Sequence, residues 1–215
     1  MVLKIAHRGF CKTYNGNTLN SIKDAIDNNF DMIELDIQLD KNDKIILYHD
    51  IYYKDQLIDT LSYQDIVKEQ PDVLLLSTLF KTIDYQNIKL YFDLKGSDKV
   101  AHELDKLFTS MNITTTNIWI ASFNLNHIEI LNNKTNQYKL GLITENNFPI
   151  NILSAIERTL QLSFVVFSWV MLNQESVQYL QNKEIYVFTY TIDDKKTLQF
   201  IEHYNVDGLI TDILL

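Results

Sequence analysis

The chain has 215 residues, 46% hydrophobic and 22% charged, which fits one soluble globular domain with room for a sizeable core. Nineteen Lys and Arg against 28 Asp and Glu leave a net charge of −9, which argues against nucleic acid as a partner. A small phosphorylated ligand stays open, because local cations and a metal override the global sign. The single cysteine, Cys11, rules out an internal disulfide and permits a reducing compartment.

Met1–Ala6 reads as a short apolar strand with Leu3, Ile5 and His7 on one face. No basic-then-apolar leader precedes it, and no apolar run approaches the ~20 residues of a membrane span, so a cytoplasmic location without a transmembrane segment is expected. Thr18 is placed to cap a helix carrying Leu19, Ile22, Ala25 and Ile26. Met32–Ile37 is the second strand, with Glu34 and Asp36 on one face and Leu35 and Ile37 on the other. Ile45–Tyr48 is a further extended piece, carrying Ile45, Leu47 and His49 together. Residues 52–71 form an excursion with a helix near Ser62–Glu69, and Ser77–Tyr85 is a further short helix.

Beyond this point strands and helices alternate. The strands are Ile88–Leu94, Asn117–Ala121, Tyr138–Ile143, Phe164–Phe167, Ile185–Tyr190 and Asp207–Ile210. Helices over Ser97–Thr109, Leu125–Asn132, Ile150–Thr159, Gln174–Asn182 and Asp194–Tyr204 separate them. Setting Ile45–Tyr48 aside leaves eight strands joined by crossovers, which implies parallel pairing. Eight such units in a chain of this length predict a closed (β/α)₈ TIM barrel, a single α/β domain over residues 1–215. The expected barrel has a small insertion after the second strand and lacks its eighth helix. An open doubly wound sheet is the rival, but no GxGxxG turn follows any strand.

In such a barrel the active site lies at the C-terminal strand ends. His7, the Glu34–Asp36 pair, and Asp93 with Lys95 fall at those ends, and His49 lies just past Ile45–Tyr48. An acidic residue after a strand is usually a solvated loop residue. Two carboxylates at i and i+2 of an apolar strand differ, since burying unpaired charge costs several kcal/mol or more, and a shared cation is the simplest compensation. A lone strand-end histidine is as often structural as functional, but two beside an acidic pair are not. His102, His127 and His203 fall in helices and read as surface or packing residues, Cys11 as a small buried side chain, and Trp119 and Trp169 as core or pocket-wall aromatics. Tyr52 and Tyr53 lie in the excursion after His49.

The ordered set His7-Arg8-Gly9, Asn17-Thr18, Glu34-Leu35-Asp36 and His49-Asp50 resembles the signature of the glycerophosphodiester phosphodiesterases. Phe92-Asp93-Leu94-Lys95, Ser122-Phe123, Tyr190-Thr191-Ile192-Asp193 and Val206 to Asp212 continue it, so the resemblance spans nearly the whole chain. Each piece is weak alone, and the ordered set is specific. The resemblance implies a (β/α)₈ hydrolase that converts glycerophosphodiesters, small-molecule substrates, to glycerol 3-phosphate and an alcohol. It implies Glu34, Asp36 and Asp93 as ligands of a divalent cation, Mg²⁺ or Ca²⁺, and His7 and His49 as the acid–base pair. Arg8 and Lys95 would hold the phosphate, and Tyr190, standing where the family has tryptophan, would be a pocket wall.

Two departures stand out: the family's ENT is Gly16-Asn17-Thr18 here, and Asp93 replaces a frequent glutamate. Two alternatives follow from the same residues. One is an enzyme resembling lysophospholipase D or sphingomyelinase D, acting on lipids. The other is a weakened barrel that binds a phosphodiester without turning it over. Head group, oligomeric state and the division of labour between the histidines are not legible in the sequence.

Overall fold

The apolar runs form strands where the β-branched and aromatic residues cluster, and the intervening amphipathic segments form helices. The structure is a computed structural model that describes residues 2–10, 15–134 and 138–214; Cys11 lies outside them. In chain order the first elements are β1 (Leu3–Ala6), α1 (Leu19–Asp27), β2 (Met32–Leu39), β3 (Ile45–Leu47), β4 (Tyr52–Tyr53) and β5 (Gln56–Leu57). There follow α2 (Tyr63–Val67), β6 (Leu74–Leu75), α3 (Leu76–Thr82), β7 (Lys89–Leu94), α4 (Lys99–Met111), β8 (Ile118–Ser122) and α5 (Leu125–Asn132). The chain continues through β9 (Lys139–Thr144), α6 (Ile150–Leu160), β10 (Phe164–Ser168), α7 (Gln174–Gln181), β11 (Tyr186–Ile192), α8 (Lys195–Ile201) and β12 (Gly208–Thr211).

The parallel strands β1, β2 and β7 to β12 close on themselves, because β1 pairs with both β12 and β2. This is the expected (β/α)₈ barrel, in one domain. The two-residue period sorts each strand into two faces. Ile5, Met32, Tyr91, Trp119, Phe164, Phe188 and Ile210 fill the barrel interior, while Ile33, Leu35, Phe92, Ile120, Val165 and Val187 pack outward against the helices. Interior packing is close: a Cβ on Gly141 of β9 would sit 2.5 Å from Cζ of Phe164.

The insertion after the second barrel strand is a hairpin that folds back. Pairing of β2 with β7 ends at Ile37 opposite Leu94, and Ile37–Leu39 then pairs antiparallel with β3. β3 therefore descends toward the barrel, and Tyr48 donates its N–H to the Asp36 carbonyl, at 3.1 Å. Ile46, Ile58, Ile66 and Val73 form a small separate core under this excursion.

Several details differ from the expectations, among them the end of β2, which runs past Ile37 to Leu39. The segment Ser77–Tyr85 does not stay helical: α3 stops at Thr82, Ile83 is extended (φ −110°, ψ 153°), and a 3₁₀ turn covers Tyr85–Asn87. The first strand starts at Leu3, with Val2 43% exposed. α1 buries Ile22 and Ala25 but leaves Ile26 outside the apolar stripe. No helix follows β12 among the described residues, as expected, and none of the described helices is long and apolar enough to cross a membrane.

Candidate active site

The inward faces of β1, β2 and β7 are apolar at the N-terminal end and polar at the C-terminal end. Ile5 is followed two residues on by His7, Met32 by Glu34 and Asp36, and Tyr91 by Asp93 and Lys95. Phe123, Glu145, Tyr190 and Asp212 continue the same faces of β8, β9, β11 and β12. These side chains, Asp212 excepted, line a cavity of about 200 Å³ together with Arg8 and His49. The closed barrel thus gathers residues that lie as far as 203 positions apart, from His7 to Ile210.

Glu34, Asp36 and Asp93 are buried, and one carboxylate oxygen from each lies within 4.8 Å of the others. Asp36 is the best supported. Asn17 Nδ2 donates to its Oδ2 at 2.9 Å, its own N–H donates to Asn17 Oδ1 at 3.0 Å, and Arg8 Nε and Lys95 Nζ approach at 3.2 and 3.3 Å. Burial works against its charge, but Lys95 and Arg8 outweigh burial and hold the carboxyl below its ordinary value. Burial pushes Glu34 up, with the Asp36 charge adding to it, and burial pushes Asp93 up despite the neighbouring Lys95. One oxygen of Asp93 is buried without a hydrogen-bond partner. A trio of converging carboxylates, two of them resisting ionisation on their own and one with an orphaned oxygen, fits a hard cation with oxygen ligands.

Each histidine has one nitrogen engaged by a carboxylate. His7 Nδ1 lies 2.9 Å from Asp212 Oδ1, and His49 Nδ1 lies 2.7 Å from Asp50 Oδ1. Burial lowers the affinity of the His7 ring for a proton, but the Asp212 hydrogen bond and the Glu34 charge outweigh it and hold the ring above its ordinary value. Arg8 adopts a left-handed backbone (φ 56°), which turns its N–H onto Glu34 Oε2 at 2.8 Å.

The expected residues His7, Arg8, Glu34, Asp36, His49, Asp93, Lys95 and Tyr190 therefore share one cavity. Asp212, Glu145 and the clamp of Asn17 on Asp36 were not singled out by the sequence, although the two-residue alternation points to the first two. His102 and His203 are exposed, and His127 is buried with Nδ1 2.9 Å from Ser122 Oγ. Trp119 belongs to the barrel interior, and Trp169 packs edge-on against Phe200 outside the cavity.

Fold and mouth together define a TIM-barrel enzyme whose inward carboxylates, histidines and cations suit an anionic ester. The Glycerophosphoryl diester phosphodiesterase family matches residues 7–214. Two curated relatives align end to end: YhdW of Bacillus subtilis, 26% identical over 97% of this chain and 93% of its own length, and a glycerophosphodiester phosphodiesterase of Caldanaerobacter subterraneus subsp. tengcongensis, 23% identical over 98% and 93%. Among solved structures, the fold is shared with a glycerophosphodiester phosphodiesterase of Thermotoga maritima (TM-score 0.82, 21% identity, covering 99% of this chain and 95% of that one). It is shared equally with an Oleispira antarctica phosphodiesterase in complex with the product sn-glycerol-3-phosphate (TM-score 0.82, 18% identity, 98% and 92%). The chain belongs to the glycerophosphoryl diester phosphodiesterase family.

Proposed function

We propose that the chain hydrolyses glycerophosphodiesters to glycerol 3-phosphate and an alcohol, with His7 and His49 exchanging the protons. The observation that carries this reading is the pair of carboxylate-anchored imidazoles on one cavity. With Nδ1–H given to Asp212 or Asp50, Nε2 is the nitrogen left for proton exchange in both rings. One histidine takes the proton of the nucleophile, water or a substrate hydroxyl, and the other returns a proton to the oxygen of the departing alcohol. Where the substrate hydroxyl attacks, water then opens the cyclic phosphate to glycerol 3-phosphate. Arg8 and Lys95 hold the phosphate oxygens, Arg8 through its planar donor fork. Glu34, Asp36 and Asp93 hold a divalent cation, Mg²⁺ or Ca²⁺, which when bound offsets the negative charge that builds on the phosphate.

Incubation of the purified protein with glycerophosphocholine and Mg²⁺ or Ca²⁺ tests this directly. Release of glycerol 3-phosphate is expected, abolished by a chelator and lowered by about 10²- to 10⁴-fold in His7→Ala and in His49→Ala. Undiminished turnover in either variant would sink the acid–base assignment.

A second reading, a lysophospholipid or sphingolipid as substrate, draws support from the exposed apolar side chains beside the cavity. Ile51, Tyr52 and Phe123 are 50%, 52% and 46% exposed, and the first two share a groove with His49 and Lys95. A higher kcat/KM on lysophosphatidylcholine than on glycerophosphocholine would favour it.

A further inference from the structure

The cavity lining is of two chemical kinds. Arg8, Lys95 and the acidic trio are charged. Beside them the lining includes Phe123, Tyr190, Ile143, Val166 and the carboxylate Glu145. The two rings meet edge to face, with centroids 6.3 Å apart and planes at 87°. Glu145 is exposed and forms no salt bridge among the described residues; the Tyr190 hydroxyl donates to its Oε1 at 3.5 Å. Burial and the nearby Glu145 charge both raise the Tyr190 phenol, so it stays a neutral donor. A carboxylate without a cation, set beside two aromatic rings, is the chemistry that holds an alkylammonium.

We propose that Phe123, Tyr190 and Glu145 form a binding site for an ammonium group carried on the alcohol of the phosphodiester. The proposal rests on the hydrolase reading and adds the substrate class: esters of cationic amino alcohols rather than of neutral polyols. The layout matches such a ligand. Lys95 Nζ lies 5.4 Å from the Phe123 ring centroid, so a phosphate on Lys95 sits next to the aromatic wall. A cation a few atoms along the alcohol then reaches the rings and Glu145, each charge facing its opposite. The larger groove on the other side of Arg8, about 430 Å³, is a poorer candidate, because its Glu69 is already paired with Lys54 and Tyr53.

The test compares glycerophosphocholine with glycerophosphoglycerol. In Glu145→Gln the ratio of kcat/KM for the cationic to the neutral substrate is expected to fall about tenfold, through KM, and Tyr190→Leu to lower it in the same direction. An unchanged ratio in both variants overturns the proposal. Titration of the wild-type protein with tetramethylammonium, beside the neutral isostere neopentyl alcohol, supplies a readout that needs no turnover. Selective binding of the cation, weakened in Glu145→Gln, supports the site even if neither ester is hydrolysed, whereas equal binding in both proteins overturns it. Absence of turnover on both esters counts against the hydrolase reading alone.

Discussion

At the scale of single residues, Asp212 carries a role out of proportion to its position near the end of the described chain. Its Oδ1 fixes the His7 ring at 2.9 Å. Burial works against the carboxylate, but the hydrogen bond and charge of His7 prevail and keep it ionised below the ordinary range. The pair fixes both the orientation of the imidazole and the tautomer that frees Nε2. Asp212→Asn is expected to lower kcat on glycerophosphocholine by about 10- to 10²-fold with little change in KM, as measured by steady-state kinetics. A change confined to KM would show that Asp212 acts on substrate binding instead. Ser122 and His127 illustrate the opposite case, a polar pair that only looks catalytic. Ser122 Oγ lies 2.9 Å from both the Leu94 carbonyl and His127 Nδ1, and it also accepts the Asn124 N–H at 3.0 Å. Its proton goes to Leu94, so the serine ties β8 to β7 and is no nucleophile.

At the scale of elements, alternation of side chains predicted most of what was found. The residues His7, Glu34, Asp36, Asp93 and Lys95 are legible because each extends an apolar inward face by two or four positions, and unpaired charge is too costly there to be accidental. The same rule reaches Glu145 and Asp212, yet neither could be weighted from the chain alone, since their partners Tyr190 and His7 lie 45 and 205 residues away. His49 is a different matter. It rides on a strand that runs antiparallel to the barrel and returns to the mouth only because β2 overshoots β7, a geometry that no local periodicity encodes. Helix ends were partly legible through their caps. Thr18 accepts from the Ser21 N–H, and Asp194 accepts from the N–H groups of Lys196 and Thr197 at 2.7 and 2.9 Å. The Asp194→Ala variant should lose about 1 kcal/mol of stability in urea denaturation, with activity intact below the transition. The end of α3 was not legible, because nothing in Thr82-Ile83-Asp84 is a helix breaker.

At the scale of the whole molecule, the barrel is a packed core beneath a charged mouth, and its closure depends on how thick that core is. Phe164, Phe188, Trp119 and Tyr91 stack inside it, with ring centroids between 5.1 and 5.5 Å apart for the adjacent pairs. Gly141 makes room for this stack, since any Cβ there meets the Phe164 ring within 2.6 Å on three atoms. Gly141→Val is therefore expected to destabilise the fold by about 1–3 kcal/mol and to lower Tm. A stability equal to wild type in thermal denaturation would mean that the aromatic stack is loose enough to yield.

Gly16 and Arg8 face each other on the way into the mouth. A Cβ at position 16 would lie 2.5 Å from Arg8 Cβ and 3.1 Å from the Arg8 carbonyl oxygen. The glutamate common in the family at this position therefore has no volume to occupy while Arg8 keeps its present backbone, which also delivers its N–H to Glu34 and its Nε to Asp36. The two positions are coupled in space. A side chain at 16 would push Arg8 off the backbone that serves Glu34 and Asp36, so installing an acid there calls for redesign of residues 8 and 16 together.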